Sequence, residues 1–229
     1  MAKARRAGAR RRRQGALPTP DERVAIEALA RTGRHAEVIE RVSALLDDSH
    51  LDAGSRLDLH DLRAESRFAL ARMGDAAADI EAMGALARID GSPAFNVRAI
   101  NCSVRFHMRR DNKRALAEAS GAVKAAKKID DGALVATSLR LLAEAQARIG
   151  DHDDALATSR RAIALFEQLG DIAGLGRAHW VNGLVHLMAG RADEARAAGI
   201  AALQAGRSTG DFYGIGNAMN MMPSATIAR

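Results

Sequence analysis

Apolar residues recur at three- and four-residue intervals from about Thr19 to about Ala205, almost without interruption. That is the period of helices with one buried face, and it predicts helix after helix with no strand between them. Each break is short and marked by Gly or Asp, the residues that close one helix and open the next. The first helix is predicted to open at Thr19-Pro20-Asp21-Glu22. Thr there is the N-cap, Pro the first helical residue and Glu the third, so Thr and Glu can satisfy each other's backbone N–H groups as a capping box.

The pattern repeats. LGDIAGLGRAHW, starting at Leu169, matches TGDFYGIGNAMN, starting at Thr209: Gly170, Asp171, Gly174 and Gly176 recur as Gly210, Asp211, Gly214 and Gly216, each 40 residues on. A second marker is a turn glycine followed five residues later by Ala, as in Gly150 to Ala155 and Gly190 to Ala195. Arg110 to Ala115 is a copy with Arg in place of Gly, and Gly74 and Gly33 are weaker copies with Asp79 and Val38 where the Ala should stand. Turns at 33, 74, 110, 150 and 190 are separated by 41, 36, 40 and 40 residues. Such near-equal steps identify a helical solenoid. In each unit helix A ends at the turn glycine, which takes the left-handed conformation. An acidic residue then opens helix B against the helix dipole, and the small Ala lets helix A approach closely.

These residues resemble the tetratricopeptide repeat family. Leu139, Leu142, Ala143, Gly150, Ala155 and Ala162 match its pattern best. Gly183, Gly190, Ala195 and Ala202 form the next copy, and Cys102, Ser103, Phe106, Ala115 and Ala122 a third. The usual unit is 34 residues, and the longer version here looks like those in bacterial signalling proteins, beside ATPase or nucleotide-cyclase domains. The resemblance implies an all-α fold, a right-handed superhelical solenoid of antiparallel helix pairs. It spans 19–222 in about 4.5 to 5 repeats, between a basic tail at 1–18 and a short tail at 223–229. It also implies a protein-binding concave face, on positions ten, six, three and two before each turn. Those residues are Ile100, Val104, His107 and Met108; Arg140, Glu144 and Arg148, with Ala147 at the remaining position; and Trp180, Leu184, Leu187 and Met188. Trp180, the chain's single Trp, is expected on that face rather than in the core, since Trp is enriched at interface hot spots.

Charge changes the picture at one end only. The 229 residues carry 34 Lys+Arg against 28 Asp+Glu, a net +6. Seven of those basic residues (Lys3, Arg5, Arg6, Arg10, Arg11, Arg12 and Arg13) lie in the first 13 positions, which hold no acid, so the rest of the chain is near neutral at −1. Such a block repels itself and has nothing to bury, which predicts disorder. It has no apolar core of the secretory kind, which predicts a cytoplasmic protein. No apolar run reaches the roughly 18 residues of a membrane span, so no membrane partner is expected. A single cysteine cannot form an internal disulfide.

Candidate chemistry is sparse. No GxxxxGK[ST] phosphate loop occurs, and Gly170, Gly174 and Gly176 follow a helix where a dinucleotide site needs a strand. His179 and His186 share a helical face around Asn182, but two histidines do not make a closed zinc site. Cys102 reads as a small packing residue, and Asp153-Asp154 as acids complementing a helix start. No cofactor, metal or catalytic residue is therefore expected, and no enzyme activity.

The resemblance makes a protein- or peptide-binding scaffold of unknown partner, either alone or as the regulatory arm or a fragment of a larger signalling protein, the first expectation. Nucleic-acid association through Arg5, Arg6, Arg10, Arg11, Arg12 and Arg13 is the alternative, a backbone contact steeply dependent on salt. The C-terminal end adds a third expectation. Residues 210–222 copy the start of a helix A, Pro223 should end it, and Met219 and Met222 are expected to face inward with no helix B to cover them. An uncapped apolar stripe predicts either a fragment of a longer chain or self-association through that end.

Overall fold

The computed structural model describes residues 20–220; Thr19, the arginine-rich start, Met222 and Pro223 lie outside the described residues. Eleven helices follow one another among them, with no strand: α1 (Pro20–Arg31), α2 (His35–Leu46), α3 (Ala53–Ala69), α4 (Met73–Asp90), α5 (Pro93–His107), α6 (Asn112–Lys128), α7 (Gly132–Arg148), α8 (His152–Leu169), α9 (Ile172–Met188), α10 (Ala192–Thr209) and α11 (Phe212–Asn220). Each helix packs on the next. The odd-numbered helices also touch one another, α3 on α5, α5 on α7 and α7 on α9. The result is an all-α helical repeat fold of two layers, with the odd helices inside. The core is a chain of small clusters between neighbouring units, such as Val104, Ala115, Ala119 and Leu141, then Ala143, Ala155, Val181 and Val185.

The boundaries follow from local chemistry. Asp52, Asp111, Asp131 and Asp171 each accept a hydrogen bond on the side chain from the backbone N–H three residues on, and so cap α3, α6, α7 and α9. Ser92 caps α5, with Pro93 at the first helical position. Gly150 and Gly190 close their helices with φ of 94° and 73°, as the repeat predicts, and Ala155 and Ala195 are fully buried beneath them.

The second turn lies elsewhere than expected. Gly74 sits in the first turn of α4, and the left-handed residue is Ala71, at φ 56°, three positions earlier. Five residues on from Ala71 stands Ala76, fully buried, which is the small residue of this unit. Asp79 therefore does not replace the packing alanine. It falls on the next inward position of α4, where it meets His60, Arg63 and Arg67 of α3.

The Gly-Asp-x-x-Gly-x-Gly pattern has a capping reason in both copies and a steric one at Gly176; a Cβ on its counterpart Gly216 would meet nothing within 4 Å. Asp171 accepts from the Gly174 N–H at 2.8 Å, and Asp211 does the same for Gly214. A methyl group on Gly176 would stand 2.9 Å from the Ala205 Cβ, so α9 and α10 can approach as they do only with glycine there. Gly206 plays the same part for α11, since its Cβ would lie 2.9 Å from Ile215.

Candidate functional site

Helix α11 completes more than the next half-repeat. It packs on α10 and α9 and also reaches back to α1. Tyr213 meets His35, at the start of α2, edge to face with ring centroids 4.8 Å apart. First and last helices thus meet, and the inner layer surrounds a central cavity of about 580 Å³ lined from α1, α3, α5, α7, α9 and α11. The stripe that each inner helix presents follows helical spacing: Asp58, Asp61, Leu62 and Glu65 on α3, or Thr137, Arg140, Leu141 and Glu144 on α7.

This lumen is strongly charged. Arg23 of α1 and Arg98 of α5 both hold Asp58 of α3, the first at 2.8 Å. Arg105 of α5 grips Asp61 and Glu65 of α3 together. Burial alone would lower the affinity of Arg105 for its proton; the two carboxylates outweigh this and raise its pKa well above the ordinary value. Glu65 is held below its usual range although burial opposes that, because Arg105, Arg140, Arg109 and Arg177 surround it. Its side chain is still 47% accessible, since it projects into the open lumen. Glu144 is taken by Arg148, one turn on, at 2.9 Å. Arg109 donates to the Arg105 carbonyl and lies 5.0 Å from the centre of the Phe68 ring.

Of the residues expected on the concave face, Arg140, Glu144, Trp180 and Met108 line the lumen, with Trp180 also packed on the Ala143–Val185 cluster. The others do not. Val104 is fully buried between α5, α6 and α7, and Ile100 packs beside it. His107 turns to Glu118 of α6 at 3.7 Å, and Arg148 turns along α7 to Glu144. Leu187 and Met188 are exposed near the turn, and Leu184 is half-buried, also off the lumen. The reason is the longer helix. With 17 residues each in α7 and α9, the lumen wall falls on their N-terminal and central turns, whereas in α5 it runs from Arg98 to the C-terminal end at Met108 and Arg109. In α7 and α9 the positions two and three before the turn lie past its rim, whereas Met108, two before the turn of α5, still reaches it.

Arg23, Asp58, Asp61, Glu65, Arg98, Arg105 and Arg177 were missed. The signal that could have found them is the seven-residue spacing of Asp58 and Glu65 and of Arg98 and Arg105, acids on one helix A and bases on the next.

The other candidates stand apart from the lumen. Cys102 is fully buried, and burial pushes its thiol pKa far up, so it is inert as a nucleophile. His179 and His186 are both held below their ordinary pKa by burial, and Asn182 between them donates to Ser159 at 2.8 Å. Among the described residues no three His, Cys, Asp or Glu side chains gather as metal ligands, and no helix is long and apolar enough to cross a membrane. Met219 is 59% exposed, and the buried position of α11 is Ala218. The inward stripe expected on Met219 is therefore carried by its neighbour, because α11 turns that face toward α1, α9 and α10.

No protein-family description matches the sequence, and no curated protein does. Solved structures do match. BtubC (BKLC) from P. vanneervenii is similar over 83% of this chain and 80% of its own, with a TM-score of 0.57 and 19% identity. A signal-transduction ATPase with numerous domains that carries a tetratricopeptide repeat sensor, from Pyrococcus horikoshii, is similar over 89% of this chain, with a TM-score of 0.59 and 12% identity. This chain covers 32% of that protein's length. At these identities the likeness is one of fold: an all-α helical repeat of the kind found in a tetratricopeptide sensor.

Proposed function

We propose that the chain is a non-catalytic binding module whose lumen receives a short segment of a partner protein, and that it serves as a sensing or regulatory arm of a signalling protein. The observation that carries this reading is the lumen itself. Five inner helices, α1, α3, α5, α7 and α9, bring charged side chains to a cavity of about 580 Å³, with Trp180 from α9 and Tyr213 from α11. That size suits a ligand or a few residues of extended chain, and it is too small for a folded domain. The charges stand on rigid helices and are held by cross-helix ion pairs, which pre-organises them for a ligand. The tetratricopeptide sensor of the P. horikoshii ATPase supports the signalling half of the proposal.

Peptides selected from a display library on the full chain test it. The selected peptides should change the emission of Trp180, and Thr137→Tyr, which fills the lumen from α7, should weaken them at least tenfold while the fold melts as before. Peptides that bind the filled variant as well as the parent would overturn the reading.

A further inference from the structure

The lumen's charges do not balance, and the imbalance is local. The acids of α3 and α7 are all engaged: Asp58 by Arg23 and Arg98, Asp61 and Glu65 by Arg105, and Glu144 by Arg148. Arg140 of α7 and Arg177 of α9 face the same space, and neither makes an ion pair or side-chain hydrogen bond with a described residue. Arg109 adds a third charge, spent only on a carbonyl and a ring face. Seven guanidiniums and six carboxylates line the cavity as a whole, and the local surplus lies at Arg109, Arg140 and Arg177, none of which has a carboxylate of its own.

Two hydrogen-bond donors point the same way. Arg140 Nε and the indole Nε1 of Trp180 are shielded from solvent and have no partner. A buried N–H left unmade costs about 1–3 kcal/mol, and more when it is charged. Burial, then the charge of Arg177, brings the pKa of Arg140 down to about 10, so the guanidinium stays charged at neutral pH and is held against its own repulsion. A group that compensates all of this must accept several hydrogen bonds at once and bring about two negative charges to one spot. A single carboxylate brings one. A phosphate monoester carries about −1.5 to −2 at pH 7 on three acceptor oxygens, and guanidinium forks match it in two-point contacts.

We propose that Arg140, Arg177 and the Trp180 indole N–H form a subsite for a phosphate monoester, with Arg109 contributing charge. This rests on the lumen as the binding site and adds the chemistry it selects. The phosphate can come from a small phosphorylated molecule or from a phosphorylated side chain of a partner segment; the recognised group is the same.

Trp180 reports on the subsite directly, being the chain's one Trp. Its emission is followed in the intact protein during titration with inorganic phosphate, phenyl phosphate and a phosphoserine peptide, with succinate and sodium chloride as controls. Phosphate should saturate the change, and succinate, whose two charges sit on separate carboxylates, should bind at least tenfold more weakly. Arg140→Gln and Arg177→Gln should each weaken phosphate at least tenfold, and Arg196→Gln, on the exposed face of α10, should leave it unchanged. Tighter binding of phenyl phosphate than of the peptide assigns the group to a small molecule, and the reverse assigns it to a partner segment. A response shared by the parent and both lumen variants, or matched by chloride or succinate, overturns the subsite. The two proposals fail separately. Library peptides that bind the lumen without regard to phosphate or to either substitution leave the lumen reading standing and end the subsite. Arginine-dependent phosphate binding that no peptide displaces or strengthens does the opposite.

Discussion

Asp79 has no accessible surface, yet it is charged and stands between three basic side chains. His60 donates to it at 2.8 Å, Arg63 with two nitrogens at 2.8 and 3.0 Å, and Arg67 at 2.5 Å. Burial pushes its pKa up, but these donors and the arginine charges push harder, and it ends below its ordinary 3.8. Removing it strands Arg63 and Arg67, whose side chains are only 15% and 14% accessible. Asp79→Ala should therefore cost about 3 kcal/mol, the low end for orphaning a buried ion pair, read from urea unfolding. The same carboxylate gives stability a pH dependence of known sign. A depressed folded pKa contributes stability that is complete above the unfolded value and is lost as pH falls through the folded one. The parent's unfolding midpoint should fall below about pH 4, and that of the variant should fall less; a variant as steep as the parent would show that Asp79 is not the group responsible. In the sequence Asp79 looked like a defect in an alanine position. Nothing in one chain tells a misplaced charge from one with three partners waiting on the preceding helix.

The same misreading extends to the elements. The repeat puts the turn between α3 and α4 at Gly74, because glycine is the ordinary left-handed residue, whereas the chain uses Ala71 with φ at 56°. An alanine carries no mark of that conformation, so the turn could not be seen directly. The buried Ala76 could have revealed it, since it keeps the five-residue interval that Gly150–Ala155 and Gly190–Ala195 share. Left-handed backbone costs an L-residue about 1–2 kcal/mol, and glycine gives back part of that through its freer unfolded chain. Ala71→Gly should accordingly stabilise the protein by about 0.5–1 kcal/mol in thermal or urea unfolding. A loss of stability would mean that the Ala71 methyl group makes a contact worth more than the strain. The helical period, the 40-residue step and the glycine turns at 150 and 190 are legible, because each is a local signal, while the expected 4.5 to 5 repeats fall short of the eleven helices described.

The lumen is a property of the whole molecule, and it was only half legible. The family pattern led to Arg140, Glu144, Trp180 and Met108, which line it, but also to Val104, which is core, and to Leu187 and Met188, which lie past its rim. Which turn of an inner helix faces inward depends on how steeply successive pairs are rotated, and that accumulates over the array. The closing of α11 on α1 is the last term of that accumulation, and no residue pair in the sequence announces it. It is also the claim on which the central lumen, the binding reading and the phosphate subsite all depend. Spin labels attached through Val24→Cys on α1 and Met219→Cys on α11, both exposed sites, test it in solution. Cys102 is buried and its thiol pKa is raised, so labelling stays selective. The structure requires one narrow distance, that of neighbouring helices with axes about 10 Å apart plus the reach of the two labels. A broad distribution centred several helix diameters away would describe an extended superhelix and contradict a lumen ringed from α1 to α11.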